Sequence, residues 1–385
     1  MKFTVLKSLF LNKLTPAMGT VSNKGTITAI EGVLIETLDN GSIRLSTYDM
    51  TKGVRTTLSP ISVEREGKFI VNAQRLYQTV RVMPEEEITI DINDKLNCTI
   101  TSGKASFSMF AMKGEDFPNL PELVSDRGFE ISAEKLKLMI GKVSHSIAEV
   151  DNRPMLCGAF FKTTDGKLEV VSCDSYTLSR CSINCEITSL AANSEINYSF
   201  IIPGHALNEL SKIMSDGEDD NVRFYIARKH AIIEKEDTVF FTRTIDSEYI
   251  DYERIIPKDN DIRVIVDKER FLDGLERANL VADEKIKGST RSYVKIAVED
   301  QFLSISSSSV NGNVFDEMDC VHEGSDIEIG FNCRYLINSV KVSEGENIKL
   351  SLKSPTQAIT IEATEESDDF KYFYMILPVR MNDQR

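Results

Sequence analysis

Four histidines, His145, His205, His230 and His322, and seven cysteines are the side chains of this 385-residue sequence best suited to bind a metal or attack a substrate. The histidines are too scattered for the short ligand spacings of a metal site. The cysteines (98, 157, 173, 181, 185, 320, 333) form no C-x-x-C pair, and their odd number suits reduced thiols used as small core residues. Neither a G-x-x-x-x-G-K-[ST] phosphate loop nor a G-x-S-x-G elbow occurs. No catalytic residue, metal or cofactor is therefore expected, and the chemistry on offer is recognition. One candidate for it is the closing run MILPVRM (375–381), which suits either a last core strand or the wall of a groove for short hydrophobic peptides. A second is a set of Lys and Arg residues carried on short helices.

Those helices belong to a cadence of strand followed by amphipathic helix. It is written as KFIVNAQRLYQTVRV (68–82), YSFIIPGHALNELSKI (198–213) and IEIGFNCRYLINSVKV (327–342), which puts Leu76, Leu207 and Leu336 in register at spacings of 131 and 129. Each copy is preceded by another strand and helix, KFTVLKSLFLNKL (2–14), FEISAEKLKLMIGKV (129–143) and VIVDKERFLDGLERA (264–278), with Ser132 and Asp267 predicted as N-caps. A hairpin follows each of these, turning at Asp39-Asn40-Gly41, Asp165-Gly166 and Glu299-Asp300. Pro-rich segments close the repeats: FPNLP (117–121), YERIIP (252–257) and YMILP (374–378). The pattern predicts an α+β protein of three similar domains, 1–126, 127–259 and 260–385, each made of two strand–helix–strands units. Polar linkers are expected at 125–128 and 257–261.

The net charge of −15 argues at first sight against a polyanionic partner. Charge position matters more than the sum. The six predicted helices (6–18, 72–82, 132–148, 203–215, 267–283, 332–343) hold 13 Lys and Arg against 7 Asp and Glu, and the first, second and sixth contain no carboxylate. Within the second, Leu76 and Val80 are predicted to face the sheets and Gln74, Arg75 or Arg81 to face the hole of a ring. Six helices about 10 Å wide, set side by side in a ring, enclose a hole of about 9 Å; twelve enclose about 28 Å, enough for a duplex roughly 20 Å across. A dimer could encircle DNA where one chain could not. No run approaches the roughly 18 apolar residues of a membrane span, and Lys7 and Lys13 interrupt the N-terminal apolar stretch, so a cytoplasmic location is expected.

The sequence resembles the beta sliding clamp family of bacterial DNA polymerase III over essentially its whole length. The likeness is carried by MKFTV at the start, DFPNLP (116–121), FIIP (200–203), IDYERIIP (250–257), EIGFNCRYL (328–336) and YMILPVRM (374–381). It implies a ring-shaped homodimer closed around duplex DNA, helices lining the hole and antiparallel sheets outside. Its role would be that of a processivity factor with no reaction of its own. Implied partners are the polymerase III alpha subunit, the clamp-loader complex, and other polymerases and repair proteins that dock through short peptides. The resemblance assigns the peptide groove to Leu156, Cys173, Asp174, Ser175, Leu178, Ile250, Arg254, Ile255, Met375, Leu377, Pro378, Val379, Arg380 and Met381. It assigns DNA contacts to Lys24, Gln74, Arg75 and Lys287, and a dimer seam to Phe107 and Met109 meeting Leu280 and Val281.

This chain departs from the family pattern at Ile250, Ser175 and Thr177, at Gly204 and His205 where a basic residue is usual, and in the extra tail Asn382–Arg385. Two other classes compete with a clamp: a three-domain peptide-binding scaffold that ignores DNA, and an enzyme with a site at a domain junction. The second would need clustered ionisable residues that the sequence does not display.

Overall fold

The structure is a computed structural model that describes all residues except 23–26, 124, 126, 165, 185–186, 191–195, 215–219, 228, 283–292, 310–311, 366, 368 and 382–385. Lys24, Lys287 and the tail Asn382–Arg385 lie outside the described residues.

Six α-helices form where the apolar spacing predicted them: α1 Lys7–Ala17, α2 Ala73–Val82, α3 Ala133–Val143, α4 Gly204–Ile213, α5 Lys268–Ala282 and α6 Cys333–Val342. Asp267 caps α5, its Oδ1 accepting from the Arg270 N–H at 2.8 Å. Asn72 and Asn332 cap α2 and α6 in the same way, accepting from the N–H groups of Arg75 (3.0 Å) and Arg334 (3.1 Å). Helix α3 stops earlier than the predicted residue 148. There the Ser144 hydroxyl donates back to the Ile140 carbonyl at 2.6 Å and the chain tightens into the 3₁₀ turn Ser144–Ser146. The predicted hairpins form, and their turns use left-handed backbone at Gly41 (φ +79°), Gly166 (φ +72°) and Asp300 (φ +52°).

The chain packs into two compact units. One comprises Met1–Glu134, Ile187–Ile196 and His205–Thr244; the other comprises Lys135–Glu186, Asn197–Gly204 and Ile245–Arg385. In the first, an antiparallel sheet of 14 described strands runs without a break. Its central join is the pairing of strand Lys52–Leu58 with strand Thr238–Arg243, where Phe240 faces Val54. Helices α1 and α2 pack together over it, and Phe3, Phe10, Leu14, Leu76 and Val80 are fully buried in its core. The segment predicted as a polar linker is tied into this unit: the Ser125 hydroxyl donates to the Ile226 carbonyl at 2.7 Å.

The second unit contains a nine-stranded and a four-stranded antiparallel sheet, with α5 packed on α6. In the larger sheet, strand Thr177–Asn184 pairs along its length with strand Phe370–Ile376. The alternating buried residues of the latter, Tyr372, Tyr374 and Ile376, enter a core shared with Phe271, Leu275, Leu336 and Val340. MILPVRM thus divides: Met375 and Ile376 complete a core strand, and Leu377 onward leaves it. No described helix is long and apolar enough to cross a membrane.

Candidate functional site

In the second unit, three strands bring sequence-distant residues into one row. Cys173 pairs across to Leu178, and Leu178 to Met375. Leu156, from the 3₁₀ turn Pro154–Cys157, packs on this row, and Val171, Tyr252 and Ala358 complete a buried apolar floor against which Ile250 rests. Of the expected groove residues, Leu156, Cys173, Leu178, Ile250 and Met375 therefore share one cluster.

The rim is built on either side. After Ile376 the chain continues past two anchors: the Leu377 N–H donates to the Tyr176 carbonyl, and the Val379 N–H to the Gly330 carbonyl, both at 2.8 Å. A Cβ on Gly330 would come within 2.8 Å of the Met381 side chain, so glycine makes room for Met381. Leu377, Val379 and Ile255 are exposed apolar side chains. Arg380 is exposed, while Pro378 and Met381 are half-buried. Arg254 points to solvent and pairs with Asp251 at 2.7 Å, apart from the buried cluster.

The turn between the two inner strands is held by Asp174, whose Oδ1 accepts from the N–H groups of Tyr176 (2.9 Å) and Thr177 (2.6 Å). Ser175 sits in this turn at φ +78°, the left-handed region that suits glycine, which gives a physical reason for the family's usual glycine there. Thr177, the other departure in the turn, is buried, and its hydroxyl donates to Ser146 Oγ at 2.8 Å. Burial pushes the Cys173 thiol pKa up, which favours the protonated thiol at this position.

Several residues that shape the site were missed from the sequence. The Tyr252 hydroxyl donates to the buried Glu169 carboxylate at 2.5 Å, and Glu169 takes Arg180 at 2.6 Å. Tyr249 stacks on Phe160 at 5.0 Å. Together they pin the segment carrying Ile250 and Ile255. Arg153 clasps Asp151 through two bonds of 2.9 and 3.0 Å and also donates to Ser175 Oγ at the groove mouth. Tyr176, exposed, lies near the Tyr335 ring at 6.0 Å. The only available signal was local, the D-x-R spacing of Asp151 and Arg153.

On the first unit, Gln74, Arg75 and Arg81 are exposed on α2 while Leu76 and Val80 are buried. Arg75 and Arg81 make no ion pair among the described residues. Lys7 and Lys13 of α1 are partly consumed, donating to the Met83 carbonyl (3.0 Å) and pairing with Asp237 (3.4 Å). In the second unit Gly204 lies against Ile147, which a Cβ there would meet at 2.8 Å, so the missing basic side chain coincides with tight packing. His205, in the first unit, is exposed beside it in sequence.

At the expected seam, residues Ala105–Phe110 pair with a neighbouring strand on one side only, the other side being an open edge among the described residues. Phe107 is 44% exposed, but Met109 is only 7% exposed. The two expected seam residues of this strand are therefore not both presented: Met109 belongs to the core cluster, and the neighbouring Phe110, 83% exposed, is the larger surface apolar group. Leu280 is exposed and Val281 half-buried on α5. Among the described residues no group of three or more His, Cys, Asp or Glu is positioned to hold a metal.

Compared with known proteins, residues 1–121, 130–251 and 253–380 match, in order, the N-terminal, central and C-terminal domains of the DNA polymerase III beta subunit. The beta sliding clamp of Bacillus subtilis strain 168 is 26% identical over 394 residues, covering 99% of this chain and 100% of that protein. A crystal structure of the Bacillus subtilis DNA polymerase sliding clamp matches with a TM-score of 0.89 and 25% identity, over 99% of this chain and 100% of that one. The beta subunit of Thermotoga maritima matches with the same TM-score and coverage at 24% identity, a likeness of fold. Three consecutive matches to one subunit, tiled in order along nearly the whole chain, make it a member of the DNA polymerase III beta subunit family, the sliding clamps, which serve the polymerase as an accessory rather than as its catalyst.

Proposed function

We propose that two copies of this chain close into a ring around duplex DNA and act as the processivity factor of a replicative polymerase in the cytoplasm. The observation that carries this reading is the end-to-end correspondence with beta sliding clamps. In this reading the domains are 1–126, 127–259 and 260–385, and helices face the DNA. Lys24, Gln74, Arg75 and Lys287 meet phosphates rather than base edges, because a clamp that slides must not read sequence. Arg75 and Arg81, exposed and without an ion pair among the described residues, support this in a protein of net charge −15.

The floor of Leu156, Cys173, Leu178 and Met375, with exposed Leu377, Val379 and Ile255 beside it, receives short apolar peptides from the polymerase alpha subunit, the clamp loader and repair polymerases. The open edge at Ala105–Phe110, with Phe107 presented, is the seam that meets Leu280 and Val281 of a second copy.

Loading onto circular and linear DNA tests the ring. A loaded clamp stays on nicked circular plasmid through gel filtration at moderate salt and runs off when the plasmid is cut. Equal retention on both forms would mean ordinary DNA binding, and no retention on either would favour a peptide-binding scaffold.

A further inference from the structure

The first unit holds a cavity of about 230 Å³ that neither the groove nor the DNA-facing helix uses. It lies over strands Gly32–Thr37, Ile43–Tyr48, Lys52–Leu58 and Lys68–Asn72. Their pairing sets Lys68 opposite Glu36, Glu36 opposite Arg44, and Ser46 opposite Arg55. The closing segment Phe117–Leu120 forms the other wall. Gly114 backs the Lys68 stem so closely that a Cβ there would meet its Cγ at 2.3 Å.

The charges lining this cavity are unbalanced. Among the described lining residues Glu36 is the one carboxylate, shared between Lys68 at 3.3 Å and Arg44 at 3.8 Å. Arg55 makes no ion pair among the described residues; the charge of Glu36 reaches it only at longer range, and its guanidinium sits 6.0 Å from the centroid of the Phe241 ring. Arg55 is half-buried, and that burial, followed by the charge of Arg44 beside it, lowers its hold on its proton. Two guanidinium groups and an ammonium gathered on one carboxylate repel each other, and folding keeps them together in a chain that is otherwise strongly acidic. Unbalanced charge of this kind, around a concavity, marks a site for the missing counter-charge.

We propose that this cavity binds a phosphoryl anion, either free or at the end of a nucleotide. Planar guanidinium forks match the oxygen spacing of a phosphate, and Lys68 adds a point charge. The Ser46 hydroxyl and the Asn119 amide on the lining supply neutral donors. A volume of about 230 Å³ far exceeds the roughly 10–15 Å³ one water needs, so a polyatomic ligand fits. The site is independent of the groove and of DNA, so it stands or falls apart from the clamp reading.

Calorimetric titration of the intact protein with inorganic phosphate, pyrophosphate and a nucleoside triphosphate, at ionic strength fixed with chloride, tests it. Saturable binding tighter than about 1 mM is expected for at least one, and the tightest of the three tells a free anion from a nucleotide end. In R44Q/R55Q the affinity falls by roughly tenfold or more, because two charge-assisted contacts are lost. E36Q, which frees Arg44 and Lys68 from their carboxylate, tightens binding by about threefold or more, a gain that a damaged fold could not produce. Absence of saturable binding, or equal affinity in wild type and R44Q/R55Q, overturns the proposal. If R44Q/R55Q has lost its native circular dichroism, E36Q decides: a gain supports the site and unchanged affinity overturns it.

Discussion

Leu377 and Met375 are two residues apart and answer to different forces. Met375 is 4% exposed in the groove floor, whereas Leu377 is 39% exposed on the rim. Leu377→Ala is expected to leave stability within about 0.5 kcal/mol of wild type, since little buried area is lost. As an apolar anchor in a peptide groove it would still cost about 2 kcal/mol of binding, roughly 30-fold, read by fluorescence polarisation with a polymerase-derived peptide. Unchanged peptide affinity would remove the rim from the site. His145 gives a second test. It is buried, edge-on to Tyr374 at 5.2 Å, with Nε2 near the hydroxyls of Ser179 (3.1 Å) and Ser339 (3.2 Å) and Nδ1 unpartnered among the described residues. Burial pushes its pKa down from 6.5 to about 4. Between those values the unfolded chain holds the proton and the folded chain does not. The stabilisation is complete above pH 6.5 and is lost as pH falls toward 4. Denaturant melts of His145→Gln should show a loss between pH 7 and 4.5 about 2 kcal/mol smaller than wild type's. Of the floor residues, Met375 was legible in YMILPVRM, an apolar segment that carries the family likeness, whereas Leu156 and Leu178 were assigned through the resemblance alone. The Tyr252–Glu169–Arg180 group was not: its members are up to 83 residues apart, and side-chain pairing at that distance leaves no periodic trace.

At the scale of elements, helix positions followed from apolar spacing, and their ends from capping chemistry. Asp267 was readable as a cap; Asn72 and Asn332 stand at the same kind of strand–helix junction, where asparagine can as well close a turn as cap a helix. Asn72→Ala and Asn332→Ala should each lower unfolding free energy by about 1 kcal/mol, measured by urea titration, with α2 and α6 otherwise retained. A change near zero in either would mean that water replaces the side chain at that helix end. The early stop of α3 was illegible for a related reason. Ser144 can extend a helix or bond back to it, and tertiary surroundings decide which.

For the whole molecule, the period of about 130 residues pointed to three repeats, and three consecutive family matches agree with that number. Packing nevertheless gathers the chain into two compact units, because strands from neighbouring matches pair directly: Lys52–Leu58 with Thr238–Arg243, and Thr177–Asn184 with Phe370–Ile376. Sequence periodicity reports the repeat but not which repeat edges meet, since edge pairing depends on strands over a hundred residues apart. An edge left open is where a second copy would join. In the proposed dimer, replacing both Phe107 and Phe110 by Asp should bring the solution mass, by light scattering, from twice 43.3 kDa to 43.3 kDa. A mass unchanged from wild type would exclude that edge as the seam.

The join between Lys52–Leu58 and Thr238–Arg243 also sets a clock for synthesis. Thr56 and Thr238, whose hydroxyls lie 3.1 Å apart across it, are 182 residues apart in the chain. At roughly 5 to 20 residues per second, the ribosome takes roughly 9 to 36 s to supply the second after the first. Throughout that interval the earlier strand has a raw margin of backbone donors and acceptors, ready to pair with a neighbouring nascent chain on the same message. The join of Thr177–Asn184 to Phe370–Ile376 repeats the wait, so an unpaired strand edge persists until the last strand of the chain is made.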